Sequence, residues 1–394
     1  MKKEILELLS KLVSYPSVTP KGEDVLEFIA DFLKPLGFTC IIKTFDPDNE
    51  VANLYAYSTH EVDTPFNLCF AGHVDVVPPL NEDLWYNDPF QMVVENDIVY
   101  GRGVVDMKGA IACSLVAVRQ FLLNKNRIKG NISFLLTTDE EMTGRYGTQE
   151  MLKYITDLGH KIDFCILGEP TSINNIGDIT KIGRRGSINF DLKIIGTQGH
   201  VAYPEKALNP ISIMISVLNE LKNNQLDNGS EYFPPSNLEI TSFDCFNEVS
   251  NIIPKTAQSK FNIRFNDRHT PELLNAIIVV IIQKCLLEKY GLEHPYSNYY
   301  SLQSVCSSLP FIQELSDNIT HFVKIVEETT NANTKLSTNG GTSDARFIHK
   351  YAEIVEFGLN CNQAHKINEN CTVGDLQTLY NVYYSSLIEF LDCS

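Results

Sequence analysis

Short apolar runs that end abruptly in polar residues recur through the first half of the chain. Phe66-Asn67-Leu68-Cys69-Phe70-Ala71 leads to His73 and Asp75, residues 132–136 lead to Thr137-Thr138-Asp139-Glu140-Glu141, and residues 164–167 lead to Gly168-Glu169-Pro170. Runs of this length and bounding predict buried strands. Residues 110–123, directly after Asp106, are small or branched apolar residues and predict a helix. Ile5, Leu8, Leu9 and Leu12 recur at helical spacing near the N-terminus. Strand, polar tip and helix in alternation predict an α/β sheet whose functional groups collect at strand ends.

The texture changes near residue 179. Residues 188–195 alternate like a half-buried strand, 210–221 read as an amphipathic helix, 238–242 and 259–265 as strands, and 271–290 as a second helix. That order predicts a small α+β module with one open sheet face. After an aromatic-rich stretch at 294–300 the first texture returns, through 354–357 and on to His365. The expected organisation is a catalytic domain of 1–180 and 295–394 with 181–294 inserted into it. A length of 394 residues agrees with two domains.

Composition removes several function classes. A formal net charge of -17 argues against nucleic acid or an anionic membrane as partner, since both need a basic face. No stretch reaches the roughly 18 apolar residues of a spanning helix, and the N-terminus is charged and then amphipathic, unlike a signal peptide. The ten cysteines show no CxxC and no paired spacing. They are expected as reduced, mostly buried thiols in a cytoplasmic protein.

The polar tips carry candidate chemistry. His73 and Asp75 are two residues apart, which on a strand puts them on one side. Asp75 is expected to accept the second ring N–H of His73 and orient it for a metal. Asp106 follows a glycine-rich lead-in whose spacing matches neither dinucleotide nor P-loop patterns. Gly101 and Gly103 are therefore expected to serve close approach or positive φ. By itself Asp106 reads equally as a helix N-cap or as a metal ligand. Glu140-Glu141 is either a solvated acidic loop or a pair divided between a metal and its water. With Glu169 and His365 the set comprises two histidines and five carboxylates, enough for two zinc-type ions and a carboxylate to move protons.

The segments GHVDVVP (72–78), GRGVVDMKG (101–109), TTDEE (137–141) and GEPTS (168–172) resemble, in this order, the di-zinc amidohydrolases of the aminoacylase and carboxypeptidase type. GRRGS (183–187), GHVAYP (199–204), NIIP (251–254), GGTSDARF (340–347) and HKINE (365–369) are similar to the bacterial desuccinylase branch of that family. The resemblance spans nearly the whole chain. It implies a zinc-peptidase-like catalytic domain with a mixed central sheet flanked by helices, plus an inserted α+β dimerisation domain. It further implies that Asp106 bridges two Zn²⁺ ions, for which Co²⁺ can substitute. His73 and Glu169 would complete one metal site, Glu141 and His365 the other.

In the same resemblance Asp75 orients His73, Glu140 is the general base, and His200 donates to the oxyanion from the second subunit of a homodimer. Arg184, Ser187, Tyr203, Asn251, Arg264 and Thr342 match substrate-binding positions. The implied reaction is hydrolysis of N-succinyl-L,L-2,6-diaminopimelate to succinate and L,L-2,6-diaminopimelate, a step of lysine and diaminopimelate biosynthesis. The substrate is a small dicarboxylate amide, for which arginine forks suit the carboxylates. The alternative within the superfamily is another di-zinc amidohydrolase, such as an acetylornithine deacetylase or an aminoacylase. Two positions depart from the branch pattern, Ser250 before Asn251 and Cys361 ahead of His365.

Overall fold

Seven consecutive buried residues form the strand Asn67–His73, which lies inside an eight-stranded sheet. The computed structural model describes residues 1–48, 50–58, 66–124 and 128–392. Asn67–His73 pairs in parallel with Asn131–Thr137 on one side and Phe164–Leu167 on the other. Glu353–Glu356 continues the parallel set beside Phe164–Leu167. Strands covered on both faces must be apolar throughout, which is why these segments read as unbroken apolar runs. Ala52–Ser58 and Phe38–Thr44 add antiparallel pairings at one edge, so the sheet is mixed.

Register decides where the polar tips go. His73 lies opposite Thr137, Ala71 opposite Leu167, and Leu167 opposite Glu356. The carboxyl ends of the four parallel strands therefore align, and the segments leaving them share one edge of the sheet. The helix Lys108–Asn124 packs against Lys2–Val13 and Val373–Leu391. Its small residues, Gly109, Ala110, Ala112, Ser114 and Ala117, are all buried and allow close approach of these neighbours. Val373–Leu391 opens with a reciprocal capping box between Thr372 and Asp375.

The chain divides into two units. The larger comprises Met1–Gly183, Ile312–Ser337 and Ser343–Ser394, the smaller Arg184–Phe311 and Thr338–Thr342. The smaller unit is an antiparallel sheet in the order Asn237–Asp244, Thr256–Phe265, Gly186–Ile195 and Tyr300–Ser308. Ile188, Phe190, Leu192 and Ile194 are buried at alternate positions and join Ala257, Phe261, Ile263 and Phe265 in one core. Leu238 and the helices Pro210–Asn223 and Pro271–Tyr290 supply the rest of that core. Asn209 and Thr270 cap their N-termini with proline next in sequence, and Gly291 ends the second in a left-handed conformation.

The boundary expected at residue 295 is corrected by these pairings. Tyr300–Ser308 runs antiparallel to Gly186–Ile195 and so belongs to the smaller unit, as does Thr342. This edge strand is rich in serine and partly exposed, so it lacks the apolar run by which the interior strands were recognised. Among the described residues no helix is long and apolar enough to cross a membrane, and every described cysteine is a free thiol.

Candidate metal centre and active site

All seven polar residues singled out at the strand tips lie in the larger unit, and their side chains converge. Asp106 stands at the middle of the group, with its two carboxylate oxygens turned to different partners. Oδ1 lies 3.3 Å from His73 Nε2, and the same nitrogen is 3.7 Å from Glu169 Oε1. Oδ2 lies 3.2 Å from His365 Nε2, which is also 2.9 Å from Glu141 Oε1. The donor atoms of His73, Glu140 and Glu169 fall within 4.8 Å of one another, and so do those of His73, Asp106 and Glu141.

The polypeptide positions each side chain by a distinct device. His73 ends its strand, and its Nδ1 lies 2.9 Å from the carbonyl oxygen of Asp75, which fixes the ring and leaves Nε2 facing Asp106. The expected contact with the Asp75 carboxylate is replaced, since Asp75 Oδ1 is 3.6 Å away. The strand stops at His73, so the two-residue strand period no longer governs Asp75. Its carboxylate instead accepts the backbone N–H groups of Glu140 at 3.4 Å and Glu141 at 3.1 Å. Asp75 thus holds the acidic pair in place from beneath.

Asp139, which the sequence reading passed over, secures the same loop from the other side. Its carboxylate accepts the N–H groups of Thr143 and Tyr146. Its place in the acidic run that follows the apolar residues 132–136 was the available signal. Gly103 has φ +84, and a Cβ there would come within 2.9 Å of Val76 Cγ1, so both expected uses of a glycine apply at that position. His365 has φ +63, an uncommon backbone conformation for a histidine.

Electrostatics shows what the cluster lacks. Five carboxylates face two imidazoles, so negative charge is in excess even with both rings protonated. Burial, together with the nearby Glu169 carboxylate, pushes Glu140 well above the usual carboxylate range. Burial raises Asp75 to about 6. Burial opposes charging His73, yet Asp106, Asp75 and Glu140 raise it well above an ordinary histidine. Hydrogen bonds to Asp106 and Glu141 push His365 up to about 10. Burial also works against ionised Asp106, but His365 and His73 hold it below the ordinary range.

Asp106 Oδ1 is buried without a hydrogen-bond partner, although an imidazole nitrogen sits 3.3 Å away. Ring and carboxylate do not align as donor and acceptor, an arrangement suited to two ligands facing a common cation. Carboxylate oxygens and imidazole nitrogens on a split aspartate fit two divalent ions.

The remaining predicted residues lie in the smaller unit and form two groups. Arg184 is buried and donates from Nη1 to the Gly341 carbonyl at 2.9 Å, beside Thr342. Ser187 and Arg264 are cross-strand partners, and Ser187 Oγ accepts from Asn262. In the second group, His200 pairs with Ile252, the Tyr203 N–H donates to the His200 carbonyl, and the Asn251 carbonyl accepts from Val201. His200 is exposed, and its Nδ1 accepts the Ala202 N–H at 3.0 Å. That bond leaves Nε2 as the protonated, outward-facing donor of the neutral ring.

The sequence model described as Peptidase family M20/M25/M40 matches residues 69–389. A protein of Orientia tsutsugamushi (strain Ikeda) named succinyl-diaminopimelate desuccinylase is 49% identical over 390 residues, covering 99% of this chain and 97% of its own length. A protein of Rickettsia bellii (strain RML369-C) with the same name is 49% identical over 386 residues, covering 98% and 96%. Among solved structures, a tripeptidase from Staphylococcus aureus superposes with TM-score 0.78 at 16% identity, over 99% of this chain and 98% of its own. At that identity the likeness speaks for the fold.

Proposed function

This chain belongs to peptidase family M20/M25/M40, and on that premise we propose that it hydrolyses N-succinyl-L,L-2,6-diaminopimelate to succinate and L,L-2,6-diaminopimelate. The observation that carries the reading is the division of Asp106 between two donor sets, His73 with Glu169 and His365 with Glu141. The sequence identity of 49% to proteins named for this substrate supports its choice.

His73, Asp106 and Glu169 would hold one divalent ion, and Asp106, Glu141 and His365 the other, with Zn²⁺ as the resident metal and Co²⁺ a substitute. Bound there, such ions supply Lewis acidity to the amide carbonyl and to the attacking water. Glu140 takes the proton from that water and delivers it to the departing amine. The Glu140 carboxyl, raised by burial and Glu169, would be ionised and able to act as a base once cations were held beside it. His200 Nε2–H donates to the developing oxyanion. Arg184 and Arg264, with Ser187, Tyr203, Asn251 and Thr342, bind the carboxylates and polar groups of the substrate. The smaller unit forms the contact of a homodimer through which His200 reaches the site of the second subunit. Free thiols accord with a cytoplasmic enzyme of lysine and diaminopimelate biosynthesis.

The test is turnover by the purified, zinc-loaded chain, measured side by side on succinyl-diaminopimelate and acetylornithine. Preference for the succinyl substrate is expected. Equal or greater turnover of acetylornithine would reassign the substrate. Mixed dimers of Glu140→Ala and His200→Ala chains are expected to recover part of the activity that each lacks alone, and no recovery would remove His200 from the shared site.

A further inference from the structure

Residues 101–107, which present Asp106, adopt only turns and bends, so regular secondary structure does not fix this ligand. One side chain gathers the segment. Glu369 is fully buried, and its Oε1 accepts the N–H groups of Val105 at 2.8 Å and of Asp106 itself at 3.1 Å. Its Oε2 accepts the Gly103 N–H at 3.0 Å and Arg102 Nη1 at 2.8 Å. Arg102 also reaches the Lys366 carbonyl at 3.3 Å and lies over the Trp85 ring. Below this point the two stretches are zipped together, since Gly101 N–H donates to the Glu369 carbonyl and Asn370–Thr372 pairs with Ile98–Tyr100.

Glu369 and Arg102 therefore join the segment bearing Asp106 to the segment bearing His365. Both ligands need such support, one lying in a turn and the other holding a left-handed backbone. We propose that Glu369, braced by Arg102, is a positioning residue that sets the separation of Asp106 Oδ2 and His365 Nε2, and through it the affinity for the ion held by Asp106, Glu141 and His365. The proposal rests on the two-metal reading above. The bland alternative is an anchor that only stabilises the fold. It differs in outcome, because an anchor has no reason to affect one ion more than the other.

The experiment is a Co²⁺ titration of metal-free full-length protein, followed by visible absorption and by bound equivalents. It compares wild type with Glu369→Gln, Arg102→Lys and, as a control in the smaller unit, Asp227→Asn. An amide accepts through one oxygen only, so Glu369→Gln turns a donor toward N–H groups that now find acceptors. The expected result is one equivalent bound as in wild type and the other weakened about 10–100-fold, the usual scale for losing an outer support of a ligand, with an altered absorption spectrum. Arg102→Lys should shift in the same direction by less, and Asp227→Asn should match wild type. Unchanged affinity and spectrum in Glu369→Gln, or equal weakening of both equivalents, would overturn the proposal. Should Glu369→Gln fail to fold, wild-type behaviour of Arg102→Lys overturns it instead. A wild-type protein that binds no Co²⁺ refutes the two-metal reading itself.

Discussion

Two carboxylate networks, one in each unit, are built on opposite principles. In the smaller unit Asp227 is surrounded by donors. Its Oδ1 accepts from Gly229 N–H and Asn266 Nδ2, both at 2.6 Å, and its Oδ2 accepts from Ser236 N–H at 3.2 Å and lies 3.0 Å from His269 Nε2. Burial works against its charge, but hydrogen bonds from Ser236, Gly229 and Asn266 hold its carboxyl below the usual value. In the larger unit the acids at the strand tips face other acids, and burial with neighbouring carboxylates lifts Glu140 well above the usual range. Burial alone therefore does not mark a functional acid. An excess of acceptors over donors does, because it is relieved only by protonation or by an added cation.

The sharpest way to break this contrast is to remove Asp106, the carboxylate that both histidines face. Asp106→Asn should abolish stoichiometric metal binding and lower turnover by more than the loss of a general base does, checked by metal analysis and a desuccinylation assay. Next in size, Glu140→Gln should cut kcat by about 10²–10⁴-fold while retaining both metals. Because burial and the Glu169 carboxylate disfavour an ionised Glu140, a neutral amide there should also raise the melting temperature of the metal-free protein, measured by calorimetry. A lower melting temperature would show that the cluster is not short of positive charge.

Chelation should act on wild type in the opposite direction. Ions that bind only the folded state contribute about 2.7 kcal/mol when free metal stands at 100 times Kd, so stripping metal should lower the melting temperature in proportion. The smallest effect belongs to the saturated cluster. Asp227→Asn should cost about 1–3 kcal/mol of stability and leave metal content and kcat unchanged below the melting transition. Its pH dependence has a definite sign. The folded carboxyl titrates below its unfolded value of about 3.9, so its stabilisation is complete above that pH and is lost as pH falls through the lower folded value. The Asp227→Asn variant should lack that part of the acid sensitivity.

The interior of this fold was readable because it obeys one rule. Strands such as Asn67–His73 and Phe164–Leu167, buried on both faces, write themselves as apolar runs, and their polar ends name the site. Edge strands obey no such rule. Tyr300–Ser308 carries four serines and is half exposed, so only its pairing with Gly186–Ile195 assigns it to the smaller unit. At the site, residue types were legible and contacts were not. Asp75 was expected against the His73 ring, but the strand ends two residues before it, and the carboxylate accepts the Glu140 and Glu141 amides instead. Glu369 stood in plain view within HKINE, but its four donors come from residues 102–106, a proximity that no local pattern encodes.

The central claim is that Asp106 divides its two oxygens between two cations. Isothermal titration of the metal-free protein with Zn²⁺ tests it most directly, comparing wild type with Asp106→Asn. Two equivalents bound by wild type and no stoichiometric binding by the variant is the predicted result. No binding by wild type, or two equivalents still bound by Asp106→Asn, would contradict it.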